Sequence, residues 1–163
     1  MKRVMVIGCP GSGKSTFSRA LHRATGIPLF HLDMLYWNPD RTTVEQAVFR
    51  ERLSHVLRQE AWILDGNYAS TMEWRMQSCD TVVFLDYPLE VCLDGVRSRR
   101  GSARTDMPWT EAEDEEDAEF IGFIERYSAE SRPAVLRLLE RYSEKTVLIF
   151  CRREEADAFL KTL

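Results

Sequence analysis

Between Gly8 and Ser15 the chain reads Gly8-Cys9-Pro10-Gly11-Ser12-Gly13-Lys14-Ser15, and no other stretch restricts the fold as strongly. Its spacing is G-x-x-x-x-G-K-[ST], which requires a buried strand on one side and a helix on the other. Both are predicted. Val4-Met5-Val6-Ile7 is a short apolar run suited to a covered strand, and Thr16 to Ala24 lacks Gly and Pro and can be helical. In that setting the glycines let successive backbone N–H groups converge on an anion, and the helix start adds its positive dipole end. The expected ligand is the tail of a nucleoside triphosphate. Gly8, Cys9, Pro10, Gly11, Ser12, Gly13, Lys14, Ser15 and Thr16 form the cradle. Lys14 reaches the β- and γ-phosphates, and the Ser15 hydroxyl ligates Mg²⁺.

The rest of the chain is patterned to match. Apolar runs at Val4–Ile7, Leu29–Leu32, Trp62–Leu64, Thr81–Leu85 and Thr146–Phe150 alternate with helical segments, which predicts a parallel, doubly wound α/β sheet. Capping boxes at Thr43-Val44-Glu45-Gln46, Ser70-Thr71-Met72-Glu73 and Thr110-Glu111-Ala112-Glu113 predict helix starts. Pro88, Pro133 and Glu154 open three more. With 163 residues, no repeats and no Gly/Ser linker, we read one domain, with an acceptor segment at about 33–60 and a lid at about 97–112. The acidic run from Glu111 to Glu119 reads chiefly as a solvated helix start.

Composition removes several classes of partner. A net charge of −4 gives no general drive toward nucleic acid or an anionic membrane. No apolar run approaches the roughly 20 residues of a membrane span, and the run after Met1-Lys2-Arg3 is too short for a signal peptide. Cys9, Cys79, Cys92 and Cys151 are scattered without metal-ligand spacing, which fits a reducing, cytoplasmic setting. A small-molecule partner and a monomer or homodimer are expected.

Ligands of open α/β sheets sit at the carboxyl ends of the strands. Asp65 ends Trp62-Ile63-Leu64-Asp65, as a carboxylate that holds Mg²⁺ opposite Ser15 would. Asp33 follows His31-Leu32, and there it would anchor or deprotonate an acceptor hydroxyl; a helix or turn cap is the alternative. Asp86 before Tyr87-Pro88 reads as a cap. Arg97, Arg100 and Arg104 flank Gly101-Ser102, the composition of a cationic lid that closes over phosphates. Arg97 is also expected on the nucleotide, with Arg75 and Arg132 as contacts to phosphate or acceptor. Trp37 and Tyr36 would wall a ring, and core packing explains them equally.

No N-K-x-D guanine motif follows the fourth strand, and the chain lacks the long insertions of transporter ATPases. Taken together the motifs resemble the P-loop nucleoside and nucleotide kinases, adenylate-kinase-like in plan. More narrowly they resemble the DNA topology modulation proteins of FlaR type. The likeness is carried by Gly8–Thr16, His31-Leu32-Asp33, Leu35-Tyr36-Trp37-Asn38-Pro39, Trp62–Tyr68, Asp80–Asp86 and Arg97–Met107. It implies a three-layer P-loop NTPase fold with five parallel strands in the order 2-3-1-4-5. It also implies ATP on the loop and an acceptor near Asp33. Two positions depart from the pattern. Asn67-Tyr68 stands where an adenylate kinase continues toward Pro-Arg, so AMP is not carried over. Asp40-Arg41 stands where the FlaR type has Gly-Trp. The expectation is an ATP- and Mg²⁺-dependent phosphotransferase acting on a nucleoside or nucleotide, with adenine against Cys151 to Arg153. The alternatives are a regulatory ATP-binding protein with little transfer and a kinase of a sugar or shikimate-like alcohol.

Overall fold

Five short apolar runs form the five strands of one parallel sheet. The computed structural model describes residues 1–109 and 118–163, which puts the third capping box and most of the acidic run outside the described residues. The strands are β1 (Arg3–Gly8), β2 (Leu29–His31), β3 (Trp62–Asp65), β4 (Thr81–Leu85) and β5 (Thr146–Phe150), in the order β2-β3-β1-β4-β5. The helices are α1 (Lys14–Thr25), α2 (Leu32–Tyr36), α3 (Gln46–Leu57), α4 (Ala69–Ser78) and α5 (Leu89–Ser98), followed by α6 (Ala118–Glu130), α7 (Arg132–Arg141) and α8 (Arg153–Leu160).

The period-two alternation of side chains sorts the strands onto two faces. Met5, Ile7, Trp62, Leu64, Val82 and Phe84 point to one side, where Phe49 and Leu53 of α3, Met76 of α4 and Val135 of α7 cover them. Val4, Val6, Ile63, Val83 and Leu85 point to the other, against Leu21 of α1, Val96 of α5, Ile124 of α6 and Ala156 of α8. All of these residues are at most 4% exposed, so both faces are dry and the architecture has three layers. Register aligns the ends that matter: Val6 lies beside Asp65, His31 beside Asp65, and Gly8 beside Leu85. Among the described residues no helix is long and apolar enough to cross a membrane.

Two local expectations differ from what is found. The second strand stops at His31, and Leu32 opens the short helix α2, so Asp33 sits in a helical first turn instead of at a strand end. The boxes at Thr43 and Ser70 do not cap. Thr43 is taken up in an antiparallel bridge with Trp37, and α3 starts later, at Gln46, while α4 starts at Ala69 behind a Tyr68 whose φ is 39°.

The floor of the site is fixed by contact between two glycines. A Cβ on Gly95, in the middle of α5, would lie 2.0 Å from Gly11 O, and one on Gly11 would lie 1.9 Å from Cys92 O. Backbone therefore meets backbone there. Alanine ordinarily favours a helix by about 1 kcal/mol over glycine. Here Gly95→Ala should instead destabilise the fold, by about 1–3 kcal/mol, read as a lower urea midpoint.

Candidate functional site

The carboxyl ends of β1, β2 and β3 open onto one cavity of about 950 Å³, at the upper end of the usual range for ligand sites. Lys14, Ser15 and Thr16 border it from the P-loop, Asp33 and Trp37 from the α2 region, Asp65 to Tyr68 from the end of β3, and Arg100, Arg104 and Asp106 from the segment after α5. Gly8, Cys9 and Ser12 form the back of the loop. Cys9 is 4% exposed, and its thiol meets Cys92 in the core, which pushes it well above the usual thiol range.

Each polar group has a defined partner. Lys14 Nζ donates to the loop's own carbonyls, Gly8 O at 3.0 Å and Cys9 O at 3.1 Å. Burial lowers its pKa, because an ammonium without water is costly. Ser15 Oγ lies 2.6 Å from Asp65 Oδ2 and 2.7 Å from Asp106 Oδ2. A hydroxyl has one hydrogen, so it can donate to one of the two carboxylates and leaves the other contact unfilled. Three hard oxygen donors with two negative charges thus converge on one point. That set suits Mg²⁺, which takes one or two carboxylates and completes its shell with substrate phosphates and water. Among the described residues no cluster of three or more His, Cys, Asp or Glu offers an all-protein metal cage.

The neighbours hold this group in place. His31 Nδ1 is 2.7 Å from Asp65 Oδ2, so His31 supports the carboxylate from behind. Arg104 donates from Nε to Asp106 Oδ1 at 3.1 Å and from Nη2 to Oδ2 at 2.6 Å. Burial works against ionisation of Asp106, but the hydrogen bonds and charge of Arg104 outweigh it and hold the carboxyl well below its usual range. Arg19 of α1 ties the same segment down through Thr105 Oγ1 at 3.2 Å.

On the acceptor side, Tyr68 donates its hydroxyl to Asp33 Oδ1 at 2.5 Å. Burial raises the Asp33 pKa above the ordinary carboxylate value, and the Tyr68 bond opposes that rise. The Trp37 and Trp109 rings meet edge to face, 5.1 Å apart at 82°, with Arg41 Cζ 6.0 Å from the Trp109 centroid. Arg153 reaches the other end of the loop: its Nη2 lies 3.4 Å from Gly11 O, and its Cζ is 5.6 Å from the Tyr87 ring.

Three expected arginines lie elsewhere. Arg75 is fully buried, and it donates to Gly66 O at 2.9 Å, to Asn67 O, and to Tyr68 O at 3.1 Å, so its guanidinium is held by the main chain. Burial pushes its pKa down to about 9. Arg132 grips Asp86 in a two-pronged pair at 2.8 and 2.7 Å, which gives Asp86 a partner in place of a capping role. Arg97 remains on α5, facing solvent beside Asp94 at 4.0 Å, because the helix runs on to Ser98 before the chain turns. Sequence reasoning missed Asn67, Tyr68, Asp106 and Trp109. Asn67 and Tyr68 follow the Asp65-Gly66 that was recognised, and Asp106 sits two residues after Arg104.

The Asp33 shift gives a stability test. A carboxyl whose folded pKa is raised binds its proton more tightly in the folded chain. Its ionisation therefore costs stability as pH rises above the unfolded value. Asp33→Asn removes that cost while keeping an oxygen for Tyr68. Its urea midpoint should exceed that of the parent at pH 7, and the two should converge near pH 3, where Asp33 is protonated in both states.

No protein-family model matches the chain. No curated protein matches it either. Among solved structures, the shikimate kinase from Bacteroides thetaiotaomicron matches with a TM-score of 0.57 and 21% identity, covering 99% of this chain and 95% of that one. Likeness at that identity is a likeness of fold. Together with the sheet order, it establishes that this chain shares a three-layer α/β fold, with five parallel strands in the order β2-β3-β1-β4-β5, with that structure.

Proposed function

We propose that this chain is an ATP-dependent kinase that transfers a phosphoryl group to a hydroxyl of a small metabolite, with a nucleoside or nucleotide as the acceptor. One observation carries the reading: Lys14, the Ser15–Asp65 pair, Asp33 and the two arginines Arg100 and Arg104 all border a single cavity. A site that only bound ATP would have no use for a buried, raised-pKa carboxylate opposite the phosphate loop.

Mg²⁺ would be held by Ser15 and Asp65, with Asp106 beside them, and supplies neutralisation of the phosphate charge. The loop backbone and Lys14 bind the triphosphate, the ammonium leaving Gly8 O and Cys9 O for phosphate oxygens. The acceptor oxygen attacks the γ-phosphorus as the bond to the bridging oxygen breaks, and ADP departs with that electron pair. Asp33 takes the hydroxyl proton. Burial brings its basicity closer to the operating pH, which favours that role. Arg100 and Arg104 stabilise charge on the migrating group and, with Trp109, keep water out.

The Trp37–Trp109 edge supports a flat-ringed acceptor, since such rings stack on aromatic faces. Asp33 and Asp65 to Tyr68, residues shared with the topology modulation type, border the cavity and support that narrower resemblance. A shikimate-like alcohol is the second reading, and the named structural neighbour favours it. ADP release should be measured with nucleosides, nucleotides and shikimate as acceptors. Stimulation by a nucleoside or nucleotide supports the first reading and stimulation by shikimate alone the second. No stimulation by any acceptor overturns both.

Two variants sharpen the assignment. Lys14→Ala should lower acceptor-stimulated turnover roughly a hundredfold or more. Asp106→Asn should weaken Mn²⁺ binding in the presence of ATP, observed by electron paramagnetic resonance, because it removes a negative oxygen from beside Ser15.

A further inference from the structure

We infer that Asn67 and Tyr68 are positioning residues, one for the nucleotide half of the cavity and one for the acceptor half, and that buried Arg75 sets both through the main chain. The inference rests on the kinase reading above and assigns roles to residues that reading leaves unused.

Asn67 acts on the loop. Its Nδ2 donates to Gly8 O at 2.7 Å, and its Oδ1 accepts from Gly8 N at 3.2 Å. One side-chain amide thus satisfies both backbone groups of the buried residue where β1 turns into the cradle. Gly8 O also accepts from Lys14 Nζ at 3.0 Å. When Lys14 turns toward a phosphate it must give up that carbonyl, and a buried carbonyl left without a donor is costly. The Asn67 amide stays on Gly8 O throughout, so Lys14 can leave without orphaning it.

Tyr68 acts on the acceptor carboxylate, through the hydroxyl bond to Asp33 Oδ1 at 2.5 Å. Its ring is wedged between Tyr36 and Phe49, with centroids 5.0 and 5.2 Å away, which fixes the direction of the hydroxyl. To place the ring there, Tyr68 adopts a φ of 39°, a conformation that large side chains avoid. Arg75 holds the strained turn. Its guanidinium donates to the three successive carbonyls of Gly66, Asn67 and Tyr68, and its Nε donates to Thr71 Oγ1 at 3.2 Å. Besides Tyr68, the charged groups facing Asp33 are Asp65, Lys14 and Arg104, and none of them lies on the 66–68 turn.

The two halves are separable by measurement. Calorimetry with Mg²⁺ and the imido analogue of ATP reads the loop, and the carboxyl carbon-13 shift of Asp33 against pH reads the acceptor side. Asn67→Ala and the space-filling Asn67→Leu should each weaken analogue binding about tenfold without moving the Asp33 midpoint. Tyr68→Phe removes a bond that lowers the Asp33 pKa, so the midpoint should rise, with analogue affinity within about twofold of the parent. In folded Arg75→Lys protein, checked by circular dichroism, both readouts should move together. Unchanged affinity in both Asn67 variants, or an unchanged midpoint in Tyr68→Phe, overturns the assignment. If the parent itself binds no analogue, the kinase reading fails instead, and the Asp33 titration still judges Tyr68.

Discussion

A half-buried ammonium at the carboxyl edge of a parallel sheet is the constraint around which this structure is arranged. Lys14 Nζ donates to two backbone carbonyls, and burial weakens its hold on its proton. Such a charge is tolerable only with compensation nearby. Asp65 at the end of β3 and Asp33 in the first turn of α2 provide it, and both raise the affinity of Lys14 for its proton. Asp106 and Arg104 then add a nearly neutral pair from the segment after α5. Lys14, Asp33, Asp65, Asp106 and Arg104 therefore form one electrostatic unit. Loss of any charge alters the environment of the others.

The dry sheet is what allows this charge to be concentrated at one end. Strand side chains alternate between two helix-covered faces. That leaves the ends of the strands as the place where polar groups gather, and the loops there carry the chemistry. The aromatic side of the cavity follows the same logic. Trp37 leaves α2 and pairs with Thr43, while Trp109 comes from the segment after α5. Elements distant in sequence thus supply the two rings of one wall.

Much of this was legible in the residues. The Gly8–Ser15 spacing located the cradle, and five apolar runs located the strands to within a residue at either end. Depth was not legible. Arg75 reads as a contact to phosphate or acceptor, and only the packing of α4 against the turn after β3 makes it a buried clamp. Nothing local marks Ser98 as the end of α5, which keeps Arg97 on the helix. The partners of Asn67, Tyr68 and Asp106 lie 59, 35 and 91 residues away, beyond the reach of any local pattern. The boxes at Thr43 and Ser70 failed for a different reason: Thr43 is taken up in its bridge to Trp37, and α4 already begins at Ala69.

The bare backbone contact between Gly11 and Gly95 couples two parts that could otherwise move apart. With no side chain between them, the triphosphate loop and α5 share one position. The covering segment leaves from the end of that helix, so roof and floor are mounted on a common support. Beyond Ser98 the chain turns at Gly101, which takes a left-handed φ of 70°. The segment beyond it is pinned by Arg19 to Thr105 and by Ser15 to Asp106, so displacing it would break a bond of the cradle itself.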